Sequence, residues 1–202
     1  LTLLEDKFYG TCLQGGDFSG GTLYEYDPEV NGFAVKVHFD HGTTASMPNT
    51  KLVAYNGSLY GMTAVGGLSN NGALFEYNTI TNTYYKRMDL DSITGSKARA
   101  GMIVMNDKLY GTTPFGGFNM TTDSSGIPGA GILFEFNPIS NKGIKKYDFS
   151  AENGYHPSSQ LLSLPAFIAP GTPGTCHQAA TITSTTSNAF DWLPLTDSLG
   201  NA

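Results

Sequence analysis

Three of the six glutamates in this 202-residue chain stand in one recurring context: Leu23-Tyr24-Glu25-Tyr26, Leu74-Phe75-Glu76-Tyr77 and Leu133-Phe134-Glu135-Phe136. Carboxylates aligned on one surface can hold a cation, contact sugar hydroxyls, or work in pairs as acid and base on a glycosidic bond. A position kept in every copy of a unit serves the unit first, because a single active site needs asymmetry. The expected role of each Glu is therefore structural: mid-strand, between aromatics, paired with backbone or with a Tyr hydroxyl of a neighbouring unit. The histidines are His38, His41, His156 and His177. Only His38 and His41 are close, and their i,i+3 spacing suits a helix face, whereas Phe39-Asp40 between them reads as a strand end. Asp89-x-Asp91-x-x-x-Gly95 lacks the third acidic ligand and closing Glu of a calcium loop. No Ser occupies a Gly-x-Ser-x-Gly elbow. The Gly-Gly pairs lack the Lys-Ser/Thr and helix of a phosphate cradle. No catalytic, metal or cofactor-binding residue is assigned. Cys12 and Cys176 fit no zinc or redox spacing, and stand either as a disulfide tying the tail to the first unit or as two free thiols.

The elements that position these residues recur with them. Phe8-Tyr9-Gly10, Leu59-Tyr60-Gly61 and Leu109-Tyr110-Gly111 repeat with steps of 51 and 50 residues. Gly15-Gly16, Gly66-Gly67 and Gly116-Gly117 keep those steps, while the third Glu lies 59 residues after the second, so the third copy carries nine extra residues within 118–130. Each copy reads as a four-stranded meander. In the second, Leu52–Tyr55 and Ser58–Thr63 flank Asn56-Gly57, a strong type I′ hairpin signal. Ala73–Tyr77 and Tyr84–Leu90 follow, joined by Asn78–Asn82. No stretch keeps a helical period. Tyr9, Tyr60 and Tyr110 are expected in the core between units, and the loops after the second strands and the joins between units on one common face.

Composition agrees. Charged residues are 14% against roughly a quarter in an average domain, with 25 Gly, 11 Tyr, 12 Phe and 1 Trp. Such a chain is neither a helical bundle nor disordered. A net charge of −6 argues against a nucleic-acid partner. No apolar run reaches the eighteen or so residues of a membrane-spanning helix.

A unit of about 50 residues with four strands and a double glycine is the signature of a β-propeller blade, nearest in period to kelch. Tyr110-Gly111-Thr112-Thr113-Pro114-Phe115-Gly116-Gly117 resembles the Tyr-Gly-Thr-Thr-x-x-Gly-Gly core of glycine-rich tandem repeats in exported bacterial surface proteins; the other copies depart from it at Cys12 and Met62. The expected fold is all-β, a partial propeller of about three four-stranded antiparallel blades plus an irregular tail. The repeats run near 1–50, 51–100 and 101–158, with the start of a fourth at 159–164. A Pro/Gly/Thr/Ser-rich linker covers 165–189, and 190–202 opens a further module similar to segments of multidomain Bacteroidota surface proteins exported by a secretion system.

The resemblance implies an extracellular or outer-membrane-associated, non-catalytic module for adhesion, glycan or protein binding, or envelope assembly. The alternative is an extracellular carbohydrate-active hydrolase or lyase using carboxylates on one propeller face. Asp91-Ser92-Ile93 and Asp197-Ser198-Leu199 resemble O-glycosylation sites of such proteins, at Ser92 and Ser198. Three blades leave two open faces, so partners are expected there: further blades of a native chain longer at both ends, or another protein.

Overall fold

In the computed structural model the described residues are 1–118 and 129–162. The chain divides into two units, Leu1–Ser163 and Leu164–Ala202. The second unit, with the expected linker, further module, Cys176 and Ser198, lies outside the described residues, as do residues 119–128 of the third copy's insertion.

The described residues form strands and no helix. The first sheet is β1 (Thr2–Leu4), β2 (Lys7–Cys12), β3 (Thr22–Asp27) and β4 (Gly32–His38), in that order and antiparallel. The middle sheet has β6 (Val53–Tyr55), β7 (Ser58–Val65), β8 (Ala73–Asn78) and β9 (Thr83–Asp89), plus β5 (Ser46–Pro48), which pairs with the far end of β7. The third sheet is β10 (Ile103–Met105), β11 (Lys108–Thr113), β12 (Ile132–Asn137) and β13 (Lys142–Asp148). Fold class and strand order thus follow the repeat. Strand β5 was not anticipated, because the join that contains it carries Pro48 and no alternation.

Local chemistry repeats faithfully. The first hairpin of each sheet turns at Glu5-Asp6, Asn56-Gly57 or Asn106-Asp107, and all six residues have positive φ, as a type I′ turn demands. Asn31, Asn82 and Asn141 take the left-handed conformation after the third strand, a role Asn fills at low cost. The Gly of the Tyr-Gly motif makes room for a ring: a Cβ on Gly61 would sit 2.5 Å from Phe75 Cζ, and one on Gly111 would sit 2.7 Å from Phe134 Cζ.

Two cores hold the sheets together. Tyr9, Leu23, Val37 and Phe39 of the first sheet pack on Leu52, Leu59, Phe75 and Tyr77 of the middle one. Tyr60, Met62, Leu74 and Leu90 pack in turn on Met102, Leu109, Phe134 and Phe136. The middle sheet is therefore apolar on both faces, and each fully buried Leu or Phe contributes roughly 1.5–3 kcal/mol. Phe39, Phe75 and Tyr84 form an aromatic cluster with centroids 5.2–5.8 Å apart. Residues 159–162, the described part of the expected fourth start, are in no strand. They continue the pattern in another way: Gln160 lies beside Gly101, as Gly101 lies beside Lys51, one repeat apart each time.

Candidate functional site

Each glutamate sits opposite a tyrosine of its own sheet: Tyr9 faces Glu25, Tyr60 faces Glu76 and Tyr110 faces Glu135. The Tyr9 hydroxyl donates to Glu25 at 2.7 Å, and that of Tyr110 to Glu135 at 2.9 Å. This corrects the expected partners, backbone or a Tyr of a neighbouring unit: the Tyr belongs to the same sheet. Register explains it: directly opposed side chains share a face and stand about 5 Å apart, closer than a packed sheet about 10 Å away.

The cations around these carboxylates were not singled out from sequence. Lys7 and Lys108, two residues before the Tyr, meet Glu25 at 3.0 Å and Glu135 at 2.6 Å. Ser58 stands there in the middle sheet and donates to Glu76 at 2.7 Å. A further cation stands at a β-bulge in the same place in each sheet. The register skips Lys36, Arg87 and Lys146, and these three residues turn to Glu25, Glu76 and Glu135 at 3.3, 2.7 and 3.5 Å. A signal was present in the sequence, a basic residue eleven positions after each Glu.

Electrostatics follow. Burial pushes the Glu25 carboxyl up, but hydrogen bonds from Tyr9, Lys7 and Lys36 outweigh it and hold it below the ordinary carboxylate value. Lys108 and Tyr110 hold the Glu135 carboxyl low as well. The Tyr9 and Tyr60 hydroxyls are pushed up by burial and by the carboxylate beside them. Such a carboxylate is an ionised acceptor with its lone pairs committed, which braces a sheet. It is neither an acid poised near neutrality nor a base with a free edge.

The glycine loops form the second repeated structure, at one end of all three sheets. Gly21 N–H donates to the Gly15 carbonyl, Gly72 to Gly66 and Gly131 to Gly116, at 2.9–3.0 Å. Both glycines of every pair have positive φ. The residue after the pair donates its N–H to the side chain ending the fourth strand: Asp17 to His38 Nδ1, Leu68 to Asp89 and Phe118 to Asp148. His38 is therefore a loop acceptor, while His41 Nδ1 contacts Ser46 Oγ at 2.9 Å; the two are not brought together on one ligand. No group of three or more His, Cys, Asp or Glu gathers among the described residues.

The joins bind successive loops. Met47 N–H donates back to Gly20, Lys97 to Asn71 and His156 to Ala130, at 2.8–2.9 Å, all three donors having positive φ. The first two joins also reach forward, Ser46 pairing with Val65 and Ser96 with Phe115. Asp40 and Asp91 cap them: burial pushes both carboxyls up, but Thr43, Thr44 and Gly42 around Asp40, and Thr94 and Ile93 around Asp91, hold them low.

Compared with known proteins, the chain matches no family model and no curated protein.

At the loop tips large apolar side chains stand in solvent: Phe18 at 58% exposure, Leu68 at 87% and Phe118 at 68%, with Leu13, Ile93 and Tyr155 around them. Lys145 stacks over the Phe118 ring at 3.8 Å and pairs with Asp148 at 2.8 Å, which fixes that tip. Cys12, at the end of β2, is exposed, and its pairing with Cys176 falls outside the described residues. Ser92 is exposed on the second join.

Proposed function

We propose that these sheets are consecutive blades of a kelch-like β-propeller, and that the chain is a non-catalytic binding module of an exported bacterial surface protein. The reading of blades rests on three sheets of one connectivity, stacked through equivalent faces with their loops at one end. The reading of binding rests on one observation: exposed apolar and aromatic side chains, among them Phe18, Leu68 and Phe118, crown the loop end of a rigid scaffold. Scattered apolar surface residues mean little, but a set gathered on the loops that carry function elsewhere favours a contact face. Aromatic rings at loop tips suit the apolar faces of sugar rings or a protein surface. The glutamates, each saturated within its own sheet, do not favour the hydrolase alternative.

A glycan array probed with the chain and with the triple variant Phe18→Ala/Leu68→Ala/Phe118→Ala tests this. Binding by the parent that falls about 10-fold or more in the variant, at unchanged thermal stability, is expected. Cleavage of an arrayed glycan overturns the non-catalytic reading, and equal binding by both chains overturns the loop face. Export is checked by intact mass: a native protein without hexose-sized excess removes Ser92 as a glycosylation site.

A further inference from the structure

The first glycine loop is held by a different side chain from the other two. In the second and third sheets the residue after the double glycine, Leu68 or Phe118, gives its N–H to a carboxylate, Asp89 or Asp148, at 3.1 Å. Each of these carboxylates also meets a lysine three residues earlier, Lys86 or Lys145, at 2.8 Å. The first sheet changes all three positions together: Asp17 stands for the apolar tip residue, His38 for the acceptor and Val35 for the lysine. The Asp17 N–H donates to His38 Nδ1 at 3.0 Å, and the Asp17 carboxylate lies 3.5 Å from the same nitrogen. An N–H meets only a bare ring nitrogen, so in this arrangement His38 is neutral and carries its proton on Nε2. Around the ring, Thr22 stands opposite in β3, and Gly16 lies so close that a Cβ there would fall 3.1 Å from Nδ1. Lys36 goes to Glu25, the Asp40 carboxylate to Gly42, Thr43 and Thr44, and His41 to Ser46. Asp17 is then the charged group that faces His38 among the described residues.

We propose that His38 makes the first loop a proton-sensitive part of the contact face: neutral, it holds the Asp17-Phe18 tip through the backbone, and on taking up a proton it lets that tip go. The inference rests on reading the loop end as the contact face and adds its regulation. Histidine is the side chain whose charge changes between about pH 5 and 8. A proton on Nδ1 turns the acceptor into a donor. The bond from the Asp17 N–H then breaks, and the Asp17 carboxylate beside it becomes the new partner. That carboxylate stands largely in solvent, and an exposed ion pair fixes a side chain only weakly. The rest of the loop keeps its bonds, Ser19 N–H to Gly16 and Gly21 N–H to Gly15, so the release is confined to the tip. Phe18, next to Asp17 and exposed, is the ring that loses its support. Leu68 and Phe118 keep theirs, because carboxylates ordinarily titrate near 4 and remain acceptors above about pH 5. Acidification therefore withdraws one apolar tip of three and leaves the other two in place.

The test follows the backbone amides and the His38 ring of the full chain by NMR from about pH 8 to pH 5. The ring is expected with its proton on Nε2 at the alkaline end, and the Asp17 amide proton is expected to move upfield in step with ring protonation. The Leu68 and Phe118 amides are expected to stay where they are. His38→Asp, which gives the first loop the acceptor of the other two, is expected to abolish the Asp17 movement. A ring with its proton on Nδ1 at the alkaline end, an Asp17 amide that stays put while the ring titrates, or one that moves equally in His38→Asp overturns the proposal. Glycan binding gives the second readout. On acidification the parent is expected to lose the share of binding that Phe18→Ala removes at the alkaline end, and His38→Asp to keep it. Binding that Phe18→Ala weakens and acid leaves unchanged overturns the proposal. Amide shifts as expected with no glycan bound at any pH leave the switch standing and overturn only the contact-face reading.

Discussion

A carboxylate withdrawn from water on a sheet face survives only with partners. Glu135 has Lys108, Tyr110 and Lys146; Glu25 has Lys7, Tyr9 and Lys36. Glu25, Glu135, Asp40 and Asp91 are all held below their ordinary values. As pH falls, the unfolded chain binds protons before the folded one, so stability is complete above the ordinary carboxylate range and is lost as pH drops through it towards the folded values. Thermal unfolding is therefore expected to be flat from neutral pH down to about 4.5 and to decline steeply below. Glu135→Gln lowers the neutral-pH midpoint and makes the acid decline shallower; an unchanged acid slope would remove Glu135 from this account. Repetition made the glutamates legible in the sequence. Their partners were less legible, since Lys7 and Lys108 alternate with Ser58, and Lys36, Arg87 and Lys146 sit at a bulge outside the paired register.

Strands two to four of each unit were readable because alternation, Asn-Gly or Asn-rich turns and double glycines all agree on their limits. The joins were not, because they are held by backbone bonds of residues with no common side chain: Met47, Lys97 and His156 share only a positive φ and one N–H donor. The glycines beside them were legible as constraints without their cause. Gly72 illustrates the cause: its φ is +97°, and a Cβ there runs into the carbonyl oxygen of Thr63. Gly72→Ala is expected to cost on the order of 3 kcal/mol by denaturant unfolding, combining backbone strain with a clash that backbone cannot relieve. Gly15, also at positive φ but with open space around its Cβ position, isolates the strain alone, and Gly15→Ala is expected to cost about 1 kcal/mol. Equal losses at both positions would show that the carbonyl contact contributes nothing.

Stacking makes equivalent residues unequal, and the inequality is measurable. Phe75, Phe134 and Tyr24 occupy one repeat position, over Gly61, Gly111 and Gly10. Phe75 and Phe134 are buried between two sheets, whereas Tyr24 stacks on Phe33 at 5.3 Å on an outer face. Truncating a fully buried Phe costs about 3–5 kcal/mol, because transfer and cavity terms add. Phe75→Ala and Phe134→Ala are expected at that level. Tyr24→Ala is expected to cost less than half as much by denaturant unfolding, since its ring packs on one side only. A Tyr24→Ala cost equal to that of Phe75→Ala would mean that the first sheet's outer face contributes as much as an inner one. The asymmetry between inner and outer sheets therefore comes from stacking and not from residue type, because one repeat position holds an aromatic ring in all three sheets.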